Sequence, residues 1–310
     1  MAISFKQIDE NSIPIGKEIG AKRILYLNKE IKEAEPITRR TYDGKKFECK
    51  QCGRLINTIN GYKYHITKVC VIKDVYDIET KREIDPLPTE KRQVIYIAGA
   101  QDSGKSYRVM KYLYYWRQLF PDRKIIMISR LSTDETFTKS EFGNLEDGMI
   151  RLKPNINWIK EKFQLQDFQN SLVVFDDIVS SNWSDNPDPK ASMKENKMIQ
   201  DYVRDLALDI VQNGRHENIH IIVTNHDLYD SHNTSKLLKD ATDFIIFPGT
   251  TGAHHLDYFL RNYCGLLKKQ IMRVMTIKSR WILIHKNDPK YIMHAHGVYR
   301  YDILGMGGTV

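Results

Sequence analysis

Long apolar runs are missing from this chain of 310 residues. A membrane-spanning helix, which needs about eighteen or more consecutive apolar residues, is therefore not expected. The first residues, Met1-Ala2-Ile3-Ser4-Phe5-Lys6, lack the apolar core of a secretory signal. Cysteine is scarce. There are four: Cys49, Cys52 and Cys70 cluster, while Cys264 stands alone among apolar neighbours and reads as core. This spacing argues against a disulfide framework and for a metal site in a reducing compartment. Prolines and glycines are few, 10 and 17, and 41% of residues are hydrophobic against 28% charged, which excludes wholesale disorder. Acid is in deficit, with 39 Asp and Glu against 47 Lys and Arg for a net charge of +8. Such a balance favours a polyanionic partner such as nucleic acid; a merely basic globular protein is the plainer alternative.

What is present starts with Gly99-Ala100-Gln101-Asp102-Ser103-Gly104-Lys105-Ser106, which fits G-x-x-x-x-G-K-[ST]. An apolar run, Val94 to Ala98, leads into it and a helix-compatible segment, Tyr107 to Leu119, follows, the strand–loop–helix setting that a phosphate-binding loop requires. The glycines let the backbone turn and approach phosphates with no Cβ in the way. N–H groups at the helix start, through Tyr107, then cradle the anion. Lys105 is expected to reach the β- and γ-phosphates of ATP, and the Ser106 hydroxyl to ligate Mg²⁺. Asp102 stands where many such loops carry another glycine.

A second apolar run, Ser171 to Phe175, ends in Asp176 and Asp177. Asp176 is expected at Mg²⁺, from a strand beside the loop strand, and Asp177 as the base for the attacking water. Capping of the following turn is the alternative. Asn225 ends a third run, where it can sense the γ-phosphate or be a plain strand-end amide. Arg215, in Asn213-Gly214-Arg215-His216, can serve a neighbouring subunit's nucleotide as an arginine finger or be a solvated loop charge.

Taken together, these segments resemble the FtsK–HerA superfamily, and within it the poxvirus-type genome-packaging ATPases of large DNA viruses and virophages. The resemblance covers about residues 92–250. It implies an α/β P-loop NTPase fold of the ASCE, RecA-like kind, with a mostly parallel central sheet. It also implies ATP hydrolysis in a ring homo-oligomer, a pentamer or hexamer, that threads double-stranded DNA, with capsid or vertex proteins as further partners. A virion or host-cytoplasm location follows from the same likeness. The chain departs from the pattern at Asp102, and at Asn225, where relatives often carry glutamine. A P-loop GTPase is disfavoured because Asn225-His226-Asp227-Leu228 lacks the guanine-selecting Lys and final Asp. A small-molecule kinase is disfavoured by the lack of an arginine-rich lid. A zinc-finger nucleic-acid-binding or scaffold protein switched by nucleotide is the rival of another class.

The cysteine cluster, Phe47-x-Cys49-x2-Cys52-x3-Ile56-x5-Tyr62-x2-His65-x4-Cys70, matches an N-terminal ββα zinc finger. Cys49 and Cys52 on a hairpin, with His65 and Cys70 on a helix, are expected to give a closed tetrahedral Zn²⁺ site, structural in kind; free thiols in a helical hairpin are the alternative. Thr58, Gly61 and Tyr64 fall at the usual base-reading positions and none suits bidentate base contact, so backbone or partner docking is expected.

The organisation expected is a charged segment over 1–46 with a helix from Lys17 to Ala34, the finger over 47–70, and a charged linker over 71–91. An ATPase core over 92–250 and a C-terminal helix and β-hairpin over 251–310 complete it. Strands are expected at Gln93–Ala98, Lys124–Ser129, Ser171–Phe175, His220–Thr224 and Asp243–Phe247, with a helix over Ser192–Val211. Apolar strands alternating with helices mean a parallel sheet covered on both faces. A helical stretch, Leu256–Met275, precedes a hairpin formed by Trp281–His285 and Tyr291–Val298 around Asn287-Asp288-Pro289. The basic cluster Lys268, Lys269, Arg273, Lys278 and Arg280 can line a DNA path or form a solvated face.

Overall fold

Alternating short strands and turns, not a helix, open the chain. The computed structural model describes residues 2–21, 23–28, 47–48, 55–65, 78–177, 182–229 and 234–301. Strands β1 (Ala2–Ser4), β2 (Ile13–Glu18) and β3 (Ile24–Asn28) come first, followed by β4 (Phe47–Glu48), β5 (Leu55–Ile56) and α1 (Ile59–Tyr64). Then come β6 (Ile78–Glu79) and β7 (Ile84–Pro86). An antiparallel four-stranded sheet has the order β1-β3-β2-β7.

Two expectations fail here. The described part of the segment read as a helix over Lys17–Ala34, up to Asn28, is instead the β2–β3 hairpin. Leu25 and Leu27 are buried two residues apart, a strand period, while Ile19 is 37% exposed in the turn beside Gly20, whose φ is +69°. A bidentate ion pair, Arg23 to Glu18 at 2.7 and 2.8 Å, closes the hairpin. The segment 71–91, read as a linker, is folded from residue 78 onward. Its Ile84, Asp85 and Leu87 are buried, so the charges that suggested a linker belong partly to an interior ion cluster.

The rest of the chain supplies β8 (Val94–Ala98), α2 (Lys105–Leu119), β9 (Lys124–Ile128), α3 (Glu135–Thr138), β10 (Met149–Leu152), α4 (Trp158–Glu161), β11 (Ser171–Phe175) and α5 (Pro189–Asn213). It continues with β12 (His220–Asn225), α6 (Ser235–Asp240), β13 (Asp243–Ile246), α7 (Ala253–Asn262), α8 (Lys268–Thr276), β14 (Ile282–His285), β15 (Tyr291–His294) and β16 (Gly297–Arg300). A ten-stranded sheet has the order β10-β9-β11-β12-β8-β13-β14-β15-β16-β6. Strands β10 through β13 in that order pair parallel, and the four beyond are antiparallel.

Each central strand is buried on both faces. In β8, Val94, Tyr96 and Ala98 join the cluster under α5 to α8, while Ile95 and Ile97 join the one under α2 and the small N-terminal sheet. That is why the run reads as continuously apolar. The C-terminal hairpin forms as expected between β14 and β15, but Ala295-His296 turn the chain again into β16. The stretch Leu256–Met275 is two helices, parted near Gly265, whose φ of +68° cannot continue α7.

Candidate nucleotide site

The loop between β8 and α2 is held open by backbone conformation. Gly104, the N-cap of α2, has φ +109°, and no side chain caps the helix. The N–H groups of its first turn lack intrahelical partners and are available to an anion. Asp102 has φ +59°. This explains why glycine suits that position and why aspartate, one of the few residues that tolerate left-handed backbone, can replace it. A Cβ on Gly99 would sit 2.6 Å from Ser103 Oγ and 2.7 Å from Phe247 Cδ2, so only glycine fits there. The buried Ser103 hydroxyl has no hydrogen-bond partner among the described residues. Ala100 and Gln101 are exposed at the loop's crest. Ser106 and Tyr107 lie in the first turn of α2, and the Tyr107 hydroxyl donates to Glu141 at 2.9 Å.

Lys105 lies back on the loop, donating to the Gly99 carbonyl at 2.7 Å and the Ala100 carbonyl at 3.1 Å. Burial pushes its pKa down, against the opposing pull of Asp177, Asp176 and Asp102. Lys105 is thus a partly desolvated cation whose charged form the nearby carboxylates support.

Those carboxylates come from β11, which is not beside β8: β12 lies between them. The expectation of a neighbouring strand is corrected, and the correction matters. The intervening strand supplies Thr224, whose Oγ1 donates to Asp176 Oδ1 at 2.9 Å and accepts the Asp177 N–H at 2.9 Å. Ser129, after β9, donates to Asp176 Oδ2 at 3.3 Å. Burial raises the Asp176 pKa, with the Asp177 charge adding to it and the Thr224 and Ser129 hydroxyls opposing. A carboxylate that is costly to ionise unaided is of the kind that would suit a hard divalent cation such as Mg²⁺, and Ser106 in the first turn of α2 carries the other oxygen that the sequence pattern expects there. Asp177 sits at φ +56°, and its Oδ2 lies 2.6 Å from His226 Nε2. His226 Nδ1 in turn is 3.3 Å from Lys105 Nζ. One imidazole thus joins the two groups expected to work on either side of the γ-phosphate.

Asn225 is placed differently from its sequence neighbour. It is 1% exposed, and its amide donates to the Tyr96 hydroxyl at 3.0 Å while its Oδ1 accepts the His226 N–H at 2.9 Å. Arg215 is exposed in the turn that precedes β12, at the end of the sheet opposite the loop. The length of β12, six residues, separates them by roughly 17 Å.

No family model matches the chain. The "Uncharacterized protein V3" of Sputnik virophage is 38% identical over 208 residues, which cover 66% of this chain and 76% of that protein. The chain belongs to the V3 family. Among solved structures, this V3-family chain is similar to B204, the DNA-packaging ATPase from Sulfolobus Turreted Icosahedral Virus, at 18% identity and TM-score 0.42, over 67% of this chain and 98% of that one. It is also similar to the pCW3 conjugation coupling protein TcpA with ATPgS, at 13% identity and TM-score 0.42, over 92% and 77%. The chemistry of the V3-family site rests on its own residues.

Three of its features escape a linear reading. His226 carried no motif, and only the strand order brings it between Lys105 and Asp177. Thr224 and Ser129 likewise sit at strand ends whose adjacency is set by topology. Arg280 comes from the basic C-terminal cluster, yet its Nε donates to the Ser103 carbonyl at 3.0 Å and its Nη2 to the Asp102 carbonyl at 3.3 Å, gripping the loop from behind. Arg273 of the same cluster is buried, its guanidinium 4.3 Å over the Tyr299 ring, and so cannot line a DNA path.

Of the proposed zinc ligands, Cys49, Cys52 and Cys70 lie outside the described residues. Among the described residues no group of three or more metal-binding side chains occurs. The order β4, β5, α1 is that of a ββα unit, with β4 and β5 antiparallel and buried His65 closing the helix. Thr58 caps that helix, accepting the Gly61 N–H at 3.0 Å. No helix of the described residues is long and apolar enough to cross a membrane.

Proposed function

We propose that this V3-family chain is a P-loop ATPase of FtsK–HerA type that moves double-stranded DNA, packaging a viral genome into a capsid. The observation that carries the reading is the convergence, across β11, β12 and β8, of Asp176, Asp177 and His226 on the loop that bears Lys105. A glycine-rich loop at a helix start binds phosphates, and two adjacent carboxylates beyond it give hydrolysis a metal ligand and a group for water. When bound, Mg²⁺ supplies charge neutralisation on the β- and γ-phosphates, held by Ser106 and Asp176. Lys105 leaves the Gly99 and Ala100 carbonyls for phosphate oxygens, and Asp177 serves the attacking water. The net charge of +8 suits a DNA partner.

The position of Arg215 supports action in trans, within the ring of five or six subunits that the reading implies. Roughly 17 Å from its own loop, it can neutralise transition-state charge only on a neighbour's nucleotide. The spacing of Cys49, Cys52, His65 and Cys70 supports a structural zinc finger for backbone or partner docking. Capsid or vertex proteins are candidate partners, and a virion or host-cytoplasm site of action accompanies the reading.

The test is ATP hydrolysis with and without duplex DNA, alongside native mass and zinc content. DNA-stimulated turnover by a pentamer or hexamer is expected, with activity restored when Arg215→Ala and Lys105→Ala subunits are mixed. Nucleotide-dependent DNA affinity without stimulated turnover would indicate a nucleotide-switched scaffold instead.

A further inference from the structure

The amide of Asn225 is spent inside the sheet on Tyr96, so the side chain at this strand end that meets the loop lysine is that of His226. Its two contacts define its tautomer. An ammonium only donates, so Nδ1, 3.3 Å from Lys105 Nζ, is the acceptor. The ring proton then sits on Nε2 and is donated to Asp177 Oδ2 at 2.6 Å. A carboxylate that fixes one ring nitrogen, leaving the other with its lone pair toward the reacting centre, is how an imidazole is prepared as a general base. Asp177 is itself fixed, by its left-handed backbone at φ +56° and by its N–H on Thr224 Oγ1. The atom now covering the lone pair is Lys105 Nζ, the group that phosphate oxygens draw away.

We propose that His226 accepts the proton of the attacking water, with Asp177 orienting the imidazole and stabilising the imidazolium. Lys105 covers Nδ1 until a triphosphate takes the lysine. The water oxygen forms its bond to the γ-phosphorus while the bond from phosphorus to the β–γ bridging oxygen breaks, its electron pair leaving on ADP. The water proton passes to Nδ1 and then to the departing phosphate. The inference rests on the ATPase reading and replaces direct proton transfer to Asp177 by transfer to the histidine it holds.

Steady-state ATP hydrolysis and binding of a fluorescent ATP analogue are compared for the full chain, His226→Ala, His226→Gln and Asp177→Asn. Both His226 variants are expected to bind nucleotide within about threefold of wild type and to lose about 100-fold or more in kcat. Added imidazole should restore about tenfold to His226→Ala and nothing to His226→Gln. If both His226 variants keep more than about a third of kcat while Asp177→Asn is inactive, the inference is overturned and the ATPase reading stands. Loss of kcat without imidazole rescue overturns it as well, because the ring then only positions its neighbours. A wild-type chain that binds no nucleotide or turns none over, with or without DNA, overturns the ATPase reading itself.

Discussion

Two acidic clusters meet helix α2, and they are built in opposite ways. Under its flank, Asp85 of β7 is 1% exposed and saturated: Oδ1 takes Arg108 at 2.8 Å, and Oδ2 takes Lys111 at 2.8 Å and the Tyr115 hydroxyl at 3.2 Å. The Arg108 guanidinium also lies 4.3 Å over Trp281, tying α2 to the C-terminal strands. At the N-terminus of the same helix, Lys105, Asp176 and Asp177 are held by left-handed backbone at Asp102, Gly104 and Asp177, with burial opposing the charge on both Lys105 and Asp176. One cluster is complete without a ligand. The other is arranged at a cost that a bound metal and triphosphate would offset.

The widest separation of the two should come from Lys105→Ala. Hydrolysis is expected to fall by about 1,000-fold, while thermal stability is unchanged or slightly higher, since removing a desolvated cation relieves the apo fold. Calorimetry beside an ATPase assay checks both halves; a large drop in melting temperature would mean that Lys105 is a structural ion partner like Lys111. Asp85→Ala should do the reverse. It leaves two buried cations uncompensated and is expected to cost about 3–5 kcal/mol in urea unfolding. Combining Asp85→Leu with Arg108→Met and Lys111→Met should recover most of that loss, because a packed apolar set replaces the ion cluster.

At the opposite end of the sheet from the loop, acid sensitivity is expected from His220. It is fully buried against Trp116, accepts the Gln93 N–H through Nδ1, and is pushed down to about 3 by burial, with Arg123 and Arg92 adding to the effect. The folded value lies below the unfolded one, so the unfolded chain takes up the proton first as pH falls. Stability should therefore decline from about pH 6.5 downward, by about 2 kcal/mol at pH 5 for this one residue. Urea titrations at pH 7 and pH 5 measure the difference, and His220→Gln should reduce it. An unchanged slope in that variant would point to His294, which burial lowers to about 4, as the main acid-sensitive group.

How much of this was legible depended on which residues share a periodicity and which share only a place. Ser171–Phe175 was readable to the residue and Val94–Ala98 to within one, because strands buried on both faces must be apolar throughout. The loop was readable because the glycine, lysine and hydroxyl pattern at fixed spacing predicts a strand–loop–helix turn, and the left-handed Gly104 at the start of α2 forms it. The N-terminal sheet was not, since strands of three to six residues bounded by charged turns carry too little alternation to separate from a loose helical pattern. Asp85 was hidden among other charges, its partners more than twenty residues away on α2. His226 was invisible for a different reason: its meaning depends on β12 lying between β11 and β8, and strand order is a long-range property that no local run encodes.

The finest distinction between the two clusters concerns Asp102, an acid in the loop proposed to bind phosphate. Its backbone at φ +59° would suit glycine, and its charge is one of those that support the cationic form of Lys105. Asp102→Gly is expected to leave stability within about 0.5 kcal/mol, because relief of the left-handed backbone is balanced by the greater freedom of glycine in the unfolded chain. Nucleotide affinity should rise by about two- to threefold as an acid leaves the phosphate site, an effect that salt diminishes because the side chain is exposed. Asp102→Val should instead cost about 1–2 kcal/mol, since a β-branched residue cannot hold that backbone angle. If Asp102→Gly weakens nucleotide binding, the carboxylate makes a favourable contact in the loaded state, and the loop's departure from glycine is then a feature of its chemistry rather than a tolerated substitution.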